Sequence, residues 1–507
     1  MNVSKSQSRL SIITSEIGFG FLLLVSLLNP SSMVAQSDSC KCQTNFDELA
    51  NQTEINYLGY HQKIKSNTKE VIKYESFKKS LKAQSLNAKI ENCIQLLQKY
   101  TSYFKDGHLS IFERPKYDEN ELRSFQAGIR KYSIIEQQAV SYFDKNKNSL
   151  DPIEGIWFAD ANAYRLAIIR NPSKADEFLA VVLNSTNPSW KAGFVKCTFV
   201  KNATHGYAAN YHLGNFAPAN YQAEVHKNCL VNIGALTYWG KSYPNTDRDQ
   251  ETINKSNPIL PTITRIDSDN MLISIPSFLV EYPYMDSLIR ARKEEITTTK
   301  NLLIDIRGNG GGNAVYMPLI GLYYTKPSPG GQGLALSSPN TIEYYKLLAS
   351  YSKKIPGDTT TNLYERVVKD MEKQPGQIVK GPLWPVATRD TIYPFPKNVC
   401  ILADRICASA AESFILHSKE QSDRVTTFGE NTCGMIDYVS TTSIKLLCAK
   451  QNYFAYYPTS TLHTRIPSDG YNVTGIPPDI RIKGEVKDKV QFVIDWLKQT
   501  NAKNKLE

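Results

Sequence analysis

Apolar residues recur at helical spacing in "FDELANQTEINYLGYHQKI" (46–64) and again in "ENCIQLLQKYTSYF" (91–104), which predicts a small helical bundle near the start of the chain. The pattern stops at "KDGHLSIFE" (105–113), where glycine breaks the helix and a strand-like run begins. Residues 118–148 return to helical spacing. From about residue 150 the texture changes. "IEGIWFAD", "AYRLAIIR", "EFLAVVLN", "AGFVKCTFV", "YAANYHLG" and "YQAEVHKNCLVNI" are short β-rich runs parted by turn residues, the mark of a barrel or sandwich. From about residue 260 strands and helices alternate: "MLISIPSF", "MDSLIRARKEEITTTK", "NLLIDI", the glycine loop "RGNGGG", a helix "AVYMPLIGLYY", then "NVCILAD" followed by "SAAESFILHSKE". That alternation predicts an α/β sheet with helices packed on it.

These boundaries divide the chain into an N-terminal helical region (36–115) ending in Asp-Gly-His, a helical connector (116–149), a β-rich accessory domain (150–255), an α/β core (256–485) and a C-terminal helix (486–507). Within the core, residues 325–393 are rich in Pro and Gly at first and helical in the middle. They read as an insertion placed to cover a site like a lid.

Residues 1–35 are predicted to be a secretory signal: Lys5 and Arg9 precede the apolar run "IGFGFLLLVSLL", and "NPSS" and "MVAQ" follow, with cleavage near Ala35. The apolar run is too short to span a bilayer, which takes about 20 residues, and no later segment is long and apolar enough. The expectation is an exported protein, periplasmic or extracellular, with no integral membrane segment after cleavage. Export makes the nine cysteines disulfide candidates first. None sits with a histidine pair at zinc-binding spacing, so no metal is expected. The net charge of +10 is spread along the chain without an aromatic platform or nucleic-acid module, which argues against a nucleic-acid partner.

Three short stretches carry candidate chemistry. Ser409, in "ADRICASAAESF", lies where an apolar strand turns into a helix, and free N–H groups at a helix start favour a developing oxyanion. A serine hydroxyl still needs a base. The loop "DIRGNGGG" exposes backbone N–H groups after a buried strand. It lacks the Gly-Lys-Ser/Thr ending of a P-loop and the spacing of a dinucleotide fingerprint, so an oxyanion hole fits better than a nucleotide cradle. Among seven histidines His108 stands out, at the sharp break of "DGH". His417 is on the Ser409 helix about two turns further on, too far to reach back. His463 is the weaker alternative. Cys407, two residues before Ser409, is read as pointing into the core.

"NLLIDIRGNGGG", "ASAAESF", "FGENTCG" and "GIPPDI", in this order, resemble the tail-specific (C-terminal processing) serine peptidase family, and "KDGHLSI" adds a likeness to its tricorn and interphotoreceptor-retinoid-binding-protein-like branch. The resemblance covers about residues 45–115 and 260–485. It implies a ClpP/crotonase-like peptidase core, peptide or protein substrates and no cofactor. It places the nucleophile on Ser409 and the oxyanion donors on the backbone of Gly311 and Ala410. Lysine-dependent members carry lysine just after a Thr-x-Gly turn. Here that position is Met435, and neither Lys419 nor Lys445 fits, so the base falls on His108. The histidine branch often has Glu before the Gly-Ile/Val-x-Pro-Asp motif to orient the ring. The matching position here is Asn472, with Asp469 and Asp106 as possible substitutes. A PDZ module is not evident. The reading is a Ser-His peptidase, the alternatives a catalytically inactive peptide- or small-ligand-binding protein on the same fold and an esterase using the same dyad.

Overall fold

The computed structural model describes residues 40–503 apart from 114, 160–162, 203–205, 227–228, 233–236, 245–259, 355–359, 387, 449–450, 463–465 and 483–487. The expected signal segment and His463 lie outside the described residues.

Helices Cys42–Asn56, Thr68–Asn87 and Cys93–Ser102 form the N-terminal region. Their inward faces bury Phe46, Leu49, Tyr74, Leu97 and Tyr100 in one cluster that continues into Tyr438, Tyr453 and Tyr457 of the core. Asn67 caps the long helix by accepting the N–H groups of Lys69 and Glu70. Disulfide Cys42–Cys93 joins the first helix to the third, and Cys40–Cys448 ties the region to a core hairpin. The chain then turns through residues 105–109 into strand Ser110–Glu113, which pairs antiparallel with Tyr453–Thr461.

Eight strands between Gly155 and Tyr243 form a closed barrel in which each pairs with the next in sequence, and Gly155–Ala159 closes the ring against Thr237–Tyr243. Of the two β-rich architectures expected for this segment, it is the barrel. Alternate residues point inward, so Trp157, Leu166, Phe178, Phe199 and Trp239 fill the interior. Lys196 is also inside. Its ammonium donates to the His212 carbonyl at 2.6 Å and lies within 4.5 Å of the ring centres of Tyr164, Trp190 and Tyr211. Helix Glu136–Lys145, in the connector, packs on the outer wall through Ala139 and Phe143.

The core sheet has six strands in the order Thr262–Arg265, Asn270–Ser274, Asn301–Asp305, Asn398–Ala403, Val425–Gly429, Ile480–Arg481. All neighbours are parallel except the first pair. The strands Asn301–Asp305 and Asn398–Ala403 read as near-continuous apolar runs because both their faces are covered. Helices Tyr282–Ala291 and Ala410–Gln421 pack on one face. The C-terminal helix Lys489–Lys503 packs on the other, with Val493, Ile494 and Leu497 against Leu303, Leu402 and Phe428, so it is a layer of the core rather than an appendage.

A second sheet of five strands holds Ser110–Glu113, Tyr453–Thr461, Gly331–Leu336, Ile378–Trp384 and Tyr438–Lys445. Two of these come from the segment expected to be a lid. Residues 325–393 are woven into the sheet by that hairpin, with helices Pro339–Ser352 and Thr361–Lys373 packed behind it. The helix expected after the glycine loop is a single turn, Met317–Ile320. The result is a mixed α/β molecule with an N-terminal helical region and a β-rich middle.

Candidate active site

The buried strand Asn398–Ala403 delivers the chain to a tight turn, and Ser409 stands immediately before helix Ala410–Gln421 with φ +54° and ψ −114°. For a residue with a side chain this backbone is strained by about 1–3 kcal/mol and persists only where its surroundings hold it. Glu412 supplies much of that hold. One of its carboxylate oxygens accepts the N–H groups of Ser409 (3.0 Å) and Met435 (2.8 Å), and the other accepts the Thr432 hydroxyl (2.5 Å) and the Gly434 N–H (2.9 Å). Burial raises the Glu412 pKa, while these four donors pull against it. One fully buried carboxylate therefore joins the Ser409 turn to the 432–435 turn. Glu412 carries no catalytic signal in the sequence, although Ser409-Ala-Ala-Glu412 has the Ser-x-x-Glu form of a capping box.

Behind Ser409, the buried Cys407 donates its thiol to the Ile306 carbonyl at 3.0 Å, and burial pushes its pKa well up. It faces away from the site as a structural thiol. In front runs the glycine loop. A Cβ on Gly311, whose φ is +105°, would stand 2.7 Å from the Ala408 carbonyl oxygen and 3.0 Å from the Ser409 Cβ, so only glycine fits. The Gly311 N–H is committed to Asn309 Oδ1 at 2.9 Å. That corrects the expectation of Gly311 as an open donor. Its neighbour Gly312 lines the cleft beside Ser409 and Ala410, and the N–H groups of Gly312 and Ala410 donate to no acceptor among the described residues.

His108 arrives from the other side of the sequence. Its Nε2 is 3.1 Å from the Ser409 hydroxyl oxygen, and its Nδ1 is 2.8 Å from the carbonyl oxygen of Tyr438. A carbonyl only accepts, so Nδ1 carries the proton, and in the neutral ring Nε2 is left to accept from the Ser409 O–H. Burial lowers the His108 pKa, against the raising influence of Asp106 and of the Tyr438 carbonyl, which favours the neutral ring.

None of the three proposed orienting side chains touches the imidazole. Asp106 is buried and accepts the His108 backbone N–H (3.0 Å) and the Tyr57 hydroxyl (2.7 Å), so it fixes the turn that bears the ring. Asn472 Oδ1 accepts the N–H groups of Ile436 and Asp437, and Asp437 in return accepts those of Tyr471 and Asn472. That reciprocal clamp sets the segment whose next carbonyl, on Tyr438, meets His108. Asp469 is exposed on the loop beyond. The orienting group is thus a main-chain oxygen, which no side-chain motif announces.

The remaining candidates are accounted for locally. Met435 follows the Thr432-Cys433-Gly434 turn, and its side chain packs against Gly107, leaving no room for a Cβ there. Lys419 pairs with Asp479 at 2.6 Å. His417 stands at 3.0 Å from the Tyr316 hydroxyl, within the same cleft, and burial drives its pKa down to about 4. Among the described residues no group of three or more His, Cys, Asp or Glu is placed to hold a metal. A cavity of about 130 Å³ opens at Ser409, His108, Gly312 and Ala410.

The sequence model of Peptidase family S41 matches residues 271–482, the span that contains the glycine loop, the Ser409 turn and the Asn472 loop. Peptide or protein substrates are those of this family. No curated protein matches the chain. Among solved structures, the chain is similar to mature CPAF complexed with lactacystin (12% identity, 87% of this chain and 94% of that one, TM-score 0.42). It is similar to a putative peptidase from Parabacteroides merdae (12% identity, 89% and 93%, TM-score 0.40) and to the photosystem II D1 C-terminal processing protease (12% identity, 89% and 95%, TM-score 0.35). The S41 domain leaves His108 outside its matched span: that residue reaches the cleft from the N-terminal helical region. No helix among the described residues is long and apolar enough to cross a membrane.

Proposed function

We propose that the protein is an exported serine peptidase working by a Ser-His dyad. His108 Nε2 takes the proton of Ser409 as its oxygen attacks the peptide carbonyl, then passes that proton to the leaving amine. The Ala410 N–H, with that of Gly312 in place of Gly311, holds the oxyanion of the tetrahedral intermediate. Water then repeats the sequence on the acyl-enzyme and regenerates Ser409. The observation that carries this reading is the 3.1 Å separation of His108 Nε2 and the Ser409 oxygen, on a ring whose other nitrogen is already engaged. The absence of lysine at Met435 supports the histidine branch of the family over the lysine dyad. Two disulfides in the described residues support an oxidising, periplasmic or extracellular location.

Treating the mature chain with a fluorophosphonate probe tests the proposal. Labelling of the wild type that disappears in Ser409→Ala, and drops steeply in His108→Ala, is the expected result. A wild type that resists labelling and cleaves no peptide would favour the binding-protein alternative, and turnover of esters without peptides would favour the esterase.

A further inference from the structure

Beside residues 439–441 and 460–462, the cavity at Ser409 has two walls of different origin. One is made by the glycine-loop side and the Ser409 helix, through Ala314, Tyr316, Ser413 and His417. The other comes from the hairpin and helices of residues 331–384, through Tyr345, Leu348, Tyr364, Pro382 and Trp384. This second wall is firmly built: Tyr345, Tyr364, Val367, Met371 and Val379 share one buried cluster, with Leu348 and Trp384 packed against it. Between the two strands of the hairpin, Gly333 and Gly381 line the cavity without side chains. A Cβ on Gly381 would stand 3.2 Å from the Gly333 carbonyl oxygen and 3.9 Å from the Tyr345 hydroxyl, so the glycines keep that side open.

Among the described residues the lining includes no Asp, Glu, Lys or Arg. Its two histidines are His108 and His417, and the low pKa of His417, about 4, keeps that ring neutral at pH 7. A charged side chain entering here would lose its water and meet no counter-charge. The volume of about 130 Å³ is near that of an engineered apolar cavity of ~150 Å³ that takes benzene, so it suits one side chain and no more. The unpaired N–H groups of Gly312 and Ala410 border the same space. A carbonyl oxygen held by them places the side chain of its own residue at the cavity mouth.

The geometry points to this cavity as the pocket for the side chain of the residue that supplies the scissile carbonyl, selecting large, uncharged, apolar side chains, with residues 331–384 as the wall that sets the preference. The inference rests on the serine-peptidase reading and adds its substrate class. Charge-free aromatic walls reward apolar area, and a single methylene in such a pocket is worth about 10–200-fold in kcat/KM.

The test uses the mature full-length chain and a set of peptides varied at one position, with cleavage sites read by mass spectrometry and Ser409 occupancy read by fluorophosphonate labelling. Leu, Met or Phe on the carbonyl side is expected to exceed Ala by more than about 10-fold, the low end for a single methylene, with Asp and Lys cleaved least. Leu348→Trp, which fills the cavity, is expected to move the preference to Ala and Gly while labelling persists. Trp384→Ala, which enlarges it, is expected to move the preference to bulkier residues, and serves if the first variant does not fold. Equal cleavage at all residues, a preference set only by the leaving-side residue, or an unchanged profile in a labelled variant would overturn the pocket and leave the peptidase reading intact. A wild type that neither labels nor cleaves would overturn that reading, and the pocket with it.

Discussion

In the barrel each strand from Gly155–Ala159 onward pairs with its neighbour in sequence, and the interior closes over Trp157, Phe199 and Trp239. In the cleft the groups that meet come from residues 57, 106–108, 309–312, 409–412, 432–438 and 472. The barrel reaches its stability by local pairing and apolar burial. The cleft contains a residue with a side chain at φ +54°, a buried carboxylate that serves four donors, and a cavity left unfilled. Strain and buried charge are tolerated where several elements over-determine the geometry, and the same arrangement leaves two N–H groups and a hydroxyl facing open space. The barrel can therefore be altered through its own contacts, whereas the cleft responds to changes far from Ser409.

The largest test of that contrast is Ser409→Ala, which is expected to lower kcat/KM by about 10⁶-fold, with the double variant Ser409→Ala, His108→Ala no lower than the single one. Additive losses in the double variant would show that the two side chains do not act as a unit. Next is a matched pair. Trp239→Ala in the barrel is expected to cost about 3–5 kcal/mol of stability while the folded fraction keeps its kcat. Glu412→Ala is expected to cost about 3 kcal/mol or more, through buried donors left without an acceptor, and to reduce kcat as well. Denaturant unfolding beside single-turnover rates distinguishes the two, and an unaltered kcat in Glu412→Ala would remove its role at the Ser409 turn.

A smaller effect is expected from Cys40→Ser with Cys448→Ser. Loss of that bridge costs about 2–5 kcal/mol and loosens the region that presents His108. Hydrogen exchange should quicken in residues 42–104 and stay unchanged in residues 155–243, with activity falling in proportion. Equal acceleration in both regions would contradict the separation drawn between them. The smallest effect is on pH. Because burial lowers the His108 pKa, the acid limb of kcat/KM is expected below pH 6.5, the ordinary imidazole value. The sign for stability is the same. The depressed pKa of His417 gives stability that is full above about pH 6.5 and is lost as pH falls toward 4. A pH series of thermal midpoints for the wild type and His417→Gln would show it.

Much of this was legible in the chain. Alternating runs after residue 150 announced a closed or layered β domain, because period-two burial is written residue by residue. The α/β alternation after residue 260 announced the core sheet, and the family motifs singled out Ser409 and His108. How residues 325–393 join the core is not legible in the sequence, because strands Gly331–Leu336 and Ile378–Trp384 acquire their place only by pairing with each other and with Tyr453–Thr461, over a hundred residues distant for the first. The sequence offers Asn472, Asp469 and Asp106 for orienting His108, and a backbone carbonyl meets its Nδ1 instead. Main-chain groups carry no residue-specific signal, so that partner was invisible. Glu412 was visible as a capping box but gave no hint that it would also hold residues 432, 434 and 435.

The amino-acid sequence alone is enough to outline the strands and helices, to mark a glycine loop after Asn301–Asp305, and to single out Ser409 and His108. Those properties depend on local periodicity and on residue chemistry. Folding brings His108 and Ser409 together across 301 positions, makes Tyr438 the acceptor for Nδ1, and leaves the open N–H on Gly312 rather than Gly311. Each of these is a distance between segments that the chain brings together in folding, and a few ångströms separate a hydrogen bond from none.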